Sequence, residues 1–410
     1  MKILIINHSP LIGSGSGIYT MNIAKALREE GHDIRVITAA NSLEFPDMRD
    51  IEIRPIFFKY KDNVEGQLEF NVPCFDQYPT SDIVFYNLSK EQLEKYKEKF
   101  REVLEEEIKD FKPDIIHTQH IWIWSSIATE YNLPTVITSH GSDMMGYNID
   151  NSFGKYCIKA INECDKIITI SKKNNQVVVE NFPEAREKST TLKNGYDTKI
   201  FYLKNLEKQK ILSEFNINKK YDKIVLYAGR LTENKGIDVL LNSAKKYENG
   251  KILTIIAGGG GLLKELKAQV AELNLQDIVF VGDQTQENLS KLYNIADVLA
   301  VPSRIEGFGL VAIEALACGT PVVATNKGGM TDFINDEVGA LVDVEDDTML
   351  EIEISKILNK EKVFDRIKLA DYAKNNYSEK VVINDLINIY KETINKNKNS
   401  LDNNRKNNVK

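Results

Sequence analysis

Short apolar runs alternate with helix-period segments along nearly the whole chain. In the first half, Lys2–Asn7, Ile34–Thr38, Asp114–Thr118, Thr135–Ser139, Lys166–Ile170 and Thr190–Leu192 read as strands, being short and rich in Ile, Val and Thr. A second series repeats the pattern at Ile224–Ala228, Ile252–Ala257, Ile278–Val281, Val298–Val301, Pro321–Ala324 and Gly339–Val342. Strands that are apolar on both faces belong in parallel sheets covered by helices on either side. The spacing therefore predicts an α/β protein with two Rossmann-like, doubly wound domains. A polar, Lys-rich link at 204–220 separates the two series. The first domain is expected over 1–200, with the boundary near Asp197–Lys204, and the second over 201–377. A helix over about 378–395 lies far enough along to return to the first domain, and the Asn/Lys-rich end, 396–410, reads as a disordered tail.

One stretch breaks the alternation. A Glu/Lys-rich helix is expected over about Lys90–Lys109, but from about Asn41 to Asn87 the chain is irregular. That stretch carries Phe57, Phe58, Tyr60, Phe70, Phe75, Tyr78, Phe85 and Tyr86. A long irregular insertion in a compact domain is often functional. An extra hairpin on the domain edge accounts for it equally well.

Open α/β sheets take ligands beyond the carboxyl ends of their strands, so strand-end residues should hold the chemistry. The run Pro302-Ser303-Arg304-Ile305-Glu306-Gly307-Phe308-Gly309-Leu310-Val311 opens a helix after the strand Val298–Val301, and Glu314 lies two turns on. Free N–H groups at a helix start hold anions, and Gly307 and Gly309 let backbone come close to a bulky ligand. Glu306 and Glu314 can each accept from hydroxyls. A diphosphate between two polyols is the ligand this suits. Spacing alone is weak, because about nine acidic pairs eight residues apart are expected by chance in such a chain. The alternative is an ordinary helix with Glu306 favoured at its positive end and Glu314 solvated.

Other strand ends change that balance. Arg230 and Lys235, after Ile224–Ala228, can neutralise a diphosphate as a planar fork and a point charge. Gly258-Gly259-Gly260-Gly261 comes after Ile252–Ala257, and Gly328-Gly329 offers a further anion nest. In the first half Gly13-Ser14-Gly15-Ser16-Gly17 comes after the first strand, but Ile18 stands where a dinucleotide fingerprint needs its third glycine. No acidic residue closes the second strand, so a nicotinamide cofactor is disfavoured. His140 ends the fourth strand and should face a ligand. His117 and His120 lack partners at metal-ligand spacing and read as hydrogen-bonding residues. The acidic run Asp343–Asp347 precedes a helix and reads as an N-cap.

Composition narrows the classes. A chain of 410 residues exceeds one usual core, in keeping with two domains. A net charge of −7 argues against a general nucleic-acid partner. Cys74, Cys157, Cys164 and Cys318 show no C-x-x-C spacing, so neither a metal site nor a disulfide framework is expected. The apolar start Ile3–Ile6 is too short for a secretory signal, and no run is long enough to span a bilayer. Cytoplasmic residence is expected, with peripheral association at the inner face of the membrane left open. The sequence is silent on oligomeric state.

Together these pieces resemble the retaining glycosyltransferases of family 4, which have the GT-B fold of two Rossmann-like domains facing a cleft. The likeness spans about Lys2 to Tyr390. It is carried by Asn194-Gly195-Tyr196-Asp197, Gly229–Gly236, Tyr293 with Ala296-Asp297-Val298, Pro302 through Ala315, and Cys318–Ala324 with Gly328-Gly329. The resemblance implies that Arg230 and Lys235 bind the diphosphate of a nucleotide-sugar donor, helped by backbone N–H groups of Gly309, Leu310 and Val311. Gly15, Gly258, Gly307 and Phe308 would complete the donor site. Glu306 would act on the transferred sugar as a catalytic residue, Glu314 would hold the ribose, and His140 would lie near the sugar's reacting face. Where the family has paired glycines in the first loop, this chain has Ser14-Gly15, and Gly13 and Gly17 stand nearby.

The same resemblance implies a retaining, metal-independent hexosyl transfer from a UDP-sugar, without a cofactor. The acceptor would be a glycan or glycolipid intermediate of cell-envelope polysaccharide. No Asp-x-Asp sits at a strand end to hold a metal. Small-metabolite transfer, and a non-catalytic nucleotide-sugar sensor of the same fold, are the alternatives.

Overall fold

The computed structural model describes residues 1–48, 50–59, 68–75 and 83–407. They form two compact units, one of Met1–Leu192 with the chain from Val382 onward, the other of Lys193–Val381.

The first unit is built on a seven-stranded parallel sheet: β1 (Lys2–Asn7), β2 (Asp33–Ala40), β3 (Glu52–Phe57), β4 (Ile115–Gln119), β5 (Thr135–Ser139), β6 (Lys166–Thr169) and β7 (Ser189–Thr191). Their order is β3-β2-β1-β4-β5-β6-β7, so the winding reverses between β1 and β4. Alternation along each strand feeds two cores. Leu4, Ile6, Ile37 and Ile116 face one, and Ile3, Ile5, Val36 and Ile115 face the other.

β3 lies inside the aromatic stretch and was not expected. It pairs in parallel with β2, not as a hairpin, and at the sheet's edge the missing N–H of Pro55 is tolerated. Phe58, Phe70, Phe75 and Phe85 are buried in the first core with Tyr96, Phe100, Trp122 and Trp124. These aromatics thus fill the gap between the sheet and the helix Lys90–Phe111. Tyr60 and Tyr78 lie outside the described residues.

The last helix, Glu379–Asn407, presents Val382, Ile383, Leu386, Ile387, Tyr390 and Ile394 to the second core of the first unit. Residues 396–407, within the stretch expected as a tail, continue this helix. The apolar stripe ends at Ile394, but neither Gly nor Pro comes after it to stop propagation. Residues 408–410 lie outside the described part. Among the described residues no helix is long and apolar enough to cross a membrane.

The second unit repeats the plan with β8 (Lys223–Ala228), β9 (Ile252–Ala257), β10 (Ile278–Gly282), β11 (Val298–Val301), β12 (Val322–Thr325) and β13 (Gly339–Val342). Its order is β10-β9-β8-β11-β12-β13, and the winding reverses between β8 and β11. Asp346 caps the helix Asp347–Leu358 by accepting from Met349 N–H at 2.8 Å, as the acidic run suggested.

Candidate active site

In the second unit the loops after β8 and β11 meet at the reversal of strand order, and backbone contacts fix them together. Gly236 has φ +63°, and a Cβ there would lie 2.1 Å from the Pro302 carbonyl oxygen. The N–H groups of Arg304 and Ile305 both donate to Asn234 O, at 2.8 and 3.2 Å. Arg304 then clamps the junction. Its guanidinium donates to both Asp238 oxygens at 2.9 and 2.7 Å, to Glu233 O at 2.7 Å, and to Glu345. The carboxylates push its already high pKa higher.

This clamp brings Lys235 and Glu306 together. Lys235 Nζ donates to Glu306 Oε2 at 2.8 Å, with the side chains 28% and 11% exposed. Ser303 Oγ donates to the same oxygen at 3.1 Å, and Gly307 N–H to Oε1 at 3.2 Å. Immediately beyond, Gly309 (φ +94°) starts the helix Leu310–Ala317 without any side-chain cap. A Cβ on Gly309 would run into Met330 Cε at 2.3 Å. A lysine, an oriented carboxylate and an uncapped helix start therefore share one loop junction. The charges suit an anion, and the carboxylate suits a hydroxyl.

Glu314 lies on that helix, partly buried, and accepts from Tyr293 OH at 3.2 Å. Burial pushes its carboxyl up to about 7, with the tyrosine bond opposing. Arg230 comes just after β8, and its carbonyl accepts from Tyr227 OH at 2.8 Å.

Four expected residues have different surroundings from those anticipated. The Phe308 ring is 4% exposed and packs on Phe333 and Tyr377 at 5.6 and 6.1 Å, so it anchors the loop and leaves only backbone to a ligand. Gly258 is required by the fold, since a Cβ there would lie 1.9 Å from Gly229 O. Gly328 and Gly329 are not a free anion nest. A Cβ on Gly328 would lie 1.8 Å from Glu306 O, and Gly329 N–H donates to Gly307 O at 2.7 Å. They brace the Glu306 loop.

Sequence reasoning missed two contributors here, Arg304 and Tyr293. The signal for Arg304 was an arginine inside a glycine-bearing loop with Asp238 two residues after Gly236.

Gly15 and His140 belong to the first unit. Gly15 opens the helix Gly15–Glu29, capped by Ser14 Oγ accepting from Gly17 N–H at 2.9 Å. Open space surrounds its missing Cβ, whereas one on Gly17 would meet Pro10 O at 2.3 Å. Gly17 is thus the glycine this loop cannot lose, and Gly15 is the exposed one. His140 comes directly after β5, partly exposed, with Nε2 2.8 Å from Gln119 Oε1 and its ring edge-on to Tyr19 at 5.0 Å. Burial pushes its pKa down to about 3, so the imidazole is neutral. His117 is fully buried, 2.6 Å from Tyr390 OH and 2.7 Å from Thr138 Oγ1, which is the hydrogen-bonding role expected of it.

Residues 13–200 match the profile of Glycosyltransferase Family 4, and residues 207–378 match that of Glycosyl transferases group 1. An uncharacterized glycosyltransferase of Methanocaldococcus jannaschii is 28% identical over 83% of this chain and 84% of its own length. The D-inositol 3-phosphate glycosyltransferase of Mycolicibacterium smegmatis is 34% identical over 50% of this chain and 47% of its own. Among solved structures, Anabaena HepE in complex with UDP superposes with a TM-score of 0.73 at 18% identity, covering 96% of this chain and 100% of that one, which shows a shared fold. With a Family 4 domain followed by a group 1 domain on two Rossmann-like sheets, the chain belongs to the glycosyltransferases of the GT-B superfamily.

Proposed function

We propose that the protein moves a hexose from a nucleoside-diphosphate sugar, a UDP-sugar by preference, to a hydroxyl of a glycan or glycolipid intermediate in cell-envelope polysaccharide synthesis. Transfer would retain the anomeric configuration and need no metal. The observation that carries this reading is the Lys235–Glu306 pair beside the start of the helix Leu310–Ala317. A donor diphosphate would take over Lys235, with Arg230 and the N–H groups of Gly309–Val311 as further partners. Glu306, released from its lysine, would accept from a hydroxyl of the sugar. The ribose diol would hydrogen-bond Glu314, and His140 would offer a neutral imidazole to a sugar hydroxyl.

In the transfer, the bond from the anomeric carbon to the β-phosphate oxygen breaks. The acceptor oxygen bonds that carbon from the same face, and the acceptor's proton passes to the departing phosphate oxygen. Fixed positive charge at that phosphate lowers the barrier because it needs no reorganisation as the charge develops. The UDP held by the Anabaena protein of the same fold supports the donor class. A small-molecule acceptor is the second reading, favoured by the likeness to an inositol-phosphate transferase.

Glu306→Gln, assayed in EDTA, is expected to keep nucleotide affinity within about threefold while kcat falls about a hundredfold, the scale for losing one oriented polar group in a transition state. Full turnover in the variant would remove the assignment. Activity that needs added Mg²⁺ would remove the metal-free part.

Donor binding should also depend on pH through Glu314. Its carboxyl titrates near 7, above the usual 4.5, and only the ionised form accepts from both ribose hydroxyls. Affinity for UDP-glucose, whose own phosphates do not titrate in this range, is therefore expected to weaken below pH 7, by up to about tenfold per unit. The folded-state shift has the opposite sign for stability: its contribution is full below about 4.5 and is lost as pH rises towards 7. Tyr293→Phe removes a bond that favours the carboxylate, so the calorimetric midpoint should move up. A flat profile from pH 5.5 to 8.5 would exclude this role.

A further inference from the structure

Gln119 closes β4, is 2% exposed, and lies opposite Thr138 in the parallel register of β4 and β5. His140 comes two residues after Thr138, so the two strand ends bring the Gln119 amide and the imidazole side by side. Gln119 Oε1 lies 2.8 Å from His140 Nε2. The amide nitrogen of Gln119 is buried without a partner among the described residues, so the side chain's bonding goes to the histidine.

The pairing is held from several sides. His120 N–H donates to Thr138 O at 2.6 Å, joining the two strand ends directly. Asp143, fully buried, accepts from Ser139 Oγ at 3.0 Å and from the N–H groups of Gly141 and Ile121, both at 2.9 Å. One carboxylate thus ties the residues on either side of His140 to the backbone just beyond Gln119. The rings of Tyr19 and His120 each pack on the imidazole with centres 5.0 Å away, which restrains its plane. A ring held in this way keeps Nε2 on the amide.

An amide oxygen only accepts, so this bond requires a proton on Nε2. Burial pushes the His140 pKa down to about 3, so the ring holds a single proton at neutral pH. In a neutral histidine, the bond made by one nitrogen decides which of the two carries that proton. With the proton on Nε2, Nδ1 keeps a bare lone pair, and it makes no hydrogen bond among the described residues. The opposite orientation of the amide, with its nitrogen towards the ring, would demand the other tautomer and turn Nδ1 into a donor.

We infer that Gln119 is a positioning residue for the transfer: it fixes the Nε2–H tautomer of His140, so that Nδ1 accepts from a hydroxyl of the sugar being moved. The inference rests on the glycosyl-transfer reading and adds to it the polarity of one contact, with the sugar as donor and the histidine as acceptor. An amide with a structural role alone would join the strand ends without governing turnover.

The chain has five histidines, so heteronuclear NMR of the full chain, isotope-labelled in the histidine rings, can read each tautomer, with His140→Gln identifying the His140 signals. The wild type is expected to show His140 protonated on Nε2 and bare on Nδ1. Gln119→Met, close in size but without an acceptor for Nε2–H, should release the ring towards the Nδ1–H tautomer. In the same variant kcat for hydrolysis of UDP-glucose should fall about tenfold, the scale of one hydrogen bond to a substrate, with KM held within about threefold. Gln119→Asn, which draws the amide back by one methylene, should act in the same direction and decides the case if the methionine variant does not fold. A wild-type ring protonated on Nδ1 would overturn the inference, as would an Nε2–H tautomer that persists in the variants. A changed tautomer with wild-type kcat would remove the positioning role. Where the wild type binds and hydrolyses UDP-glucose, any of these results sinks the inference alone. Should it neither bind nor hydrolyse UDP-glucose, the donor reading falls and takes the role of Gln119 with it.

Discussion

Lys235→Ala is expected to lower kcat/KM by about thirty- to a thousandfold and to remove the thermal shift produced by nucleotide. Truncating one partner of a hydrogen-bonded charge pair costs about 2–4 kcal/mol where the charge also meets the ligand. Here the lysine loses its task twice. The diphosphate loses a point charge, and Glu306 keeps only Ser303 Oγ and Gly307 N–H to hold it in place. Unliganded stability should change little, because a pair with a lysine 28% exposed contributes about 1 kcal/mol or less. A nucleotide at a hundred times its Kd adds about 2.7 kcal/mol to the wild type. If the variant kept that full shift, Lys235 would not touch the donor.

Gly328→Ala should produce the largest structural effect. The new Cβ would lie 1.8 Å from Glu306 O and 2.9 Å from Gly307 O, at a backbone φ of +56°. Overpacking costs roughly 1–3 kcal/mol, and left-handed backbone for an L-residue roughly 1–2 more. At about 2–4 °C per kcal/mol for a domain of this size, the melting temperature should fall by roughly 5–15 °C. Because the clash falls on the Glu306 carbonyl, kcat of the remaining folded protein should drop at least tenfold as well. A variant with reduced melting temperature and wild-type kcat would show that Gly328 braces the fold and not the site.

Much of this architecture is legible in the chain because buried parallel strands are apolar on both faces. Lys2–Asn7, Thr135–Ser139, Ile252–Ala257, Val298–Val301 and Gly339–Val342 have the bounds that their composition predicts. β3 was hidden because an edge strand is half exposed and carries Pro55, so neither periodicity nor propensity marks it. The site was legible to the extent that it depends on residue type. Lys235 and Glu306 were both singled out, and the fold puts them 2.8 Å apart. The reason for each glycine was not legible. Gly258, Gly309 and Gly328 look alike in the chain, yet one packs on Gly229, one on Met330 and one on Glu306. Nor does the chain tell that the aromatics after β3 are core and that seven of their neighbours' polar atoms are left without partners. Those facts depend on contacts between residues far apart in sequence.

The return of the last helix to the first unit has a consequence for synthesis. Ile3, Ile5, Ile34 and Val36 are made before the second unit, and they share a core with Val382, Leu386 and Tyr390, made after it. On the ribosome the amino-terminal half therefore waits with one apolar face uncovered while the whole second unit is translated. At about 5–20 residues per second, that wait lasts on the order of ten seconds or more, time enough for chaperones to take hold of the exposed face.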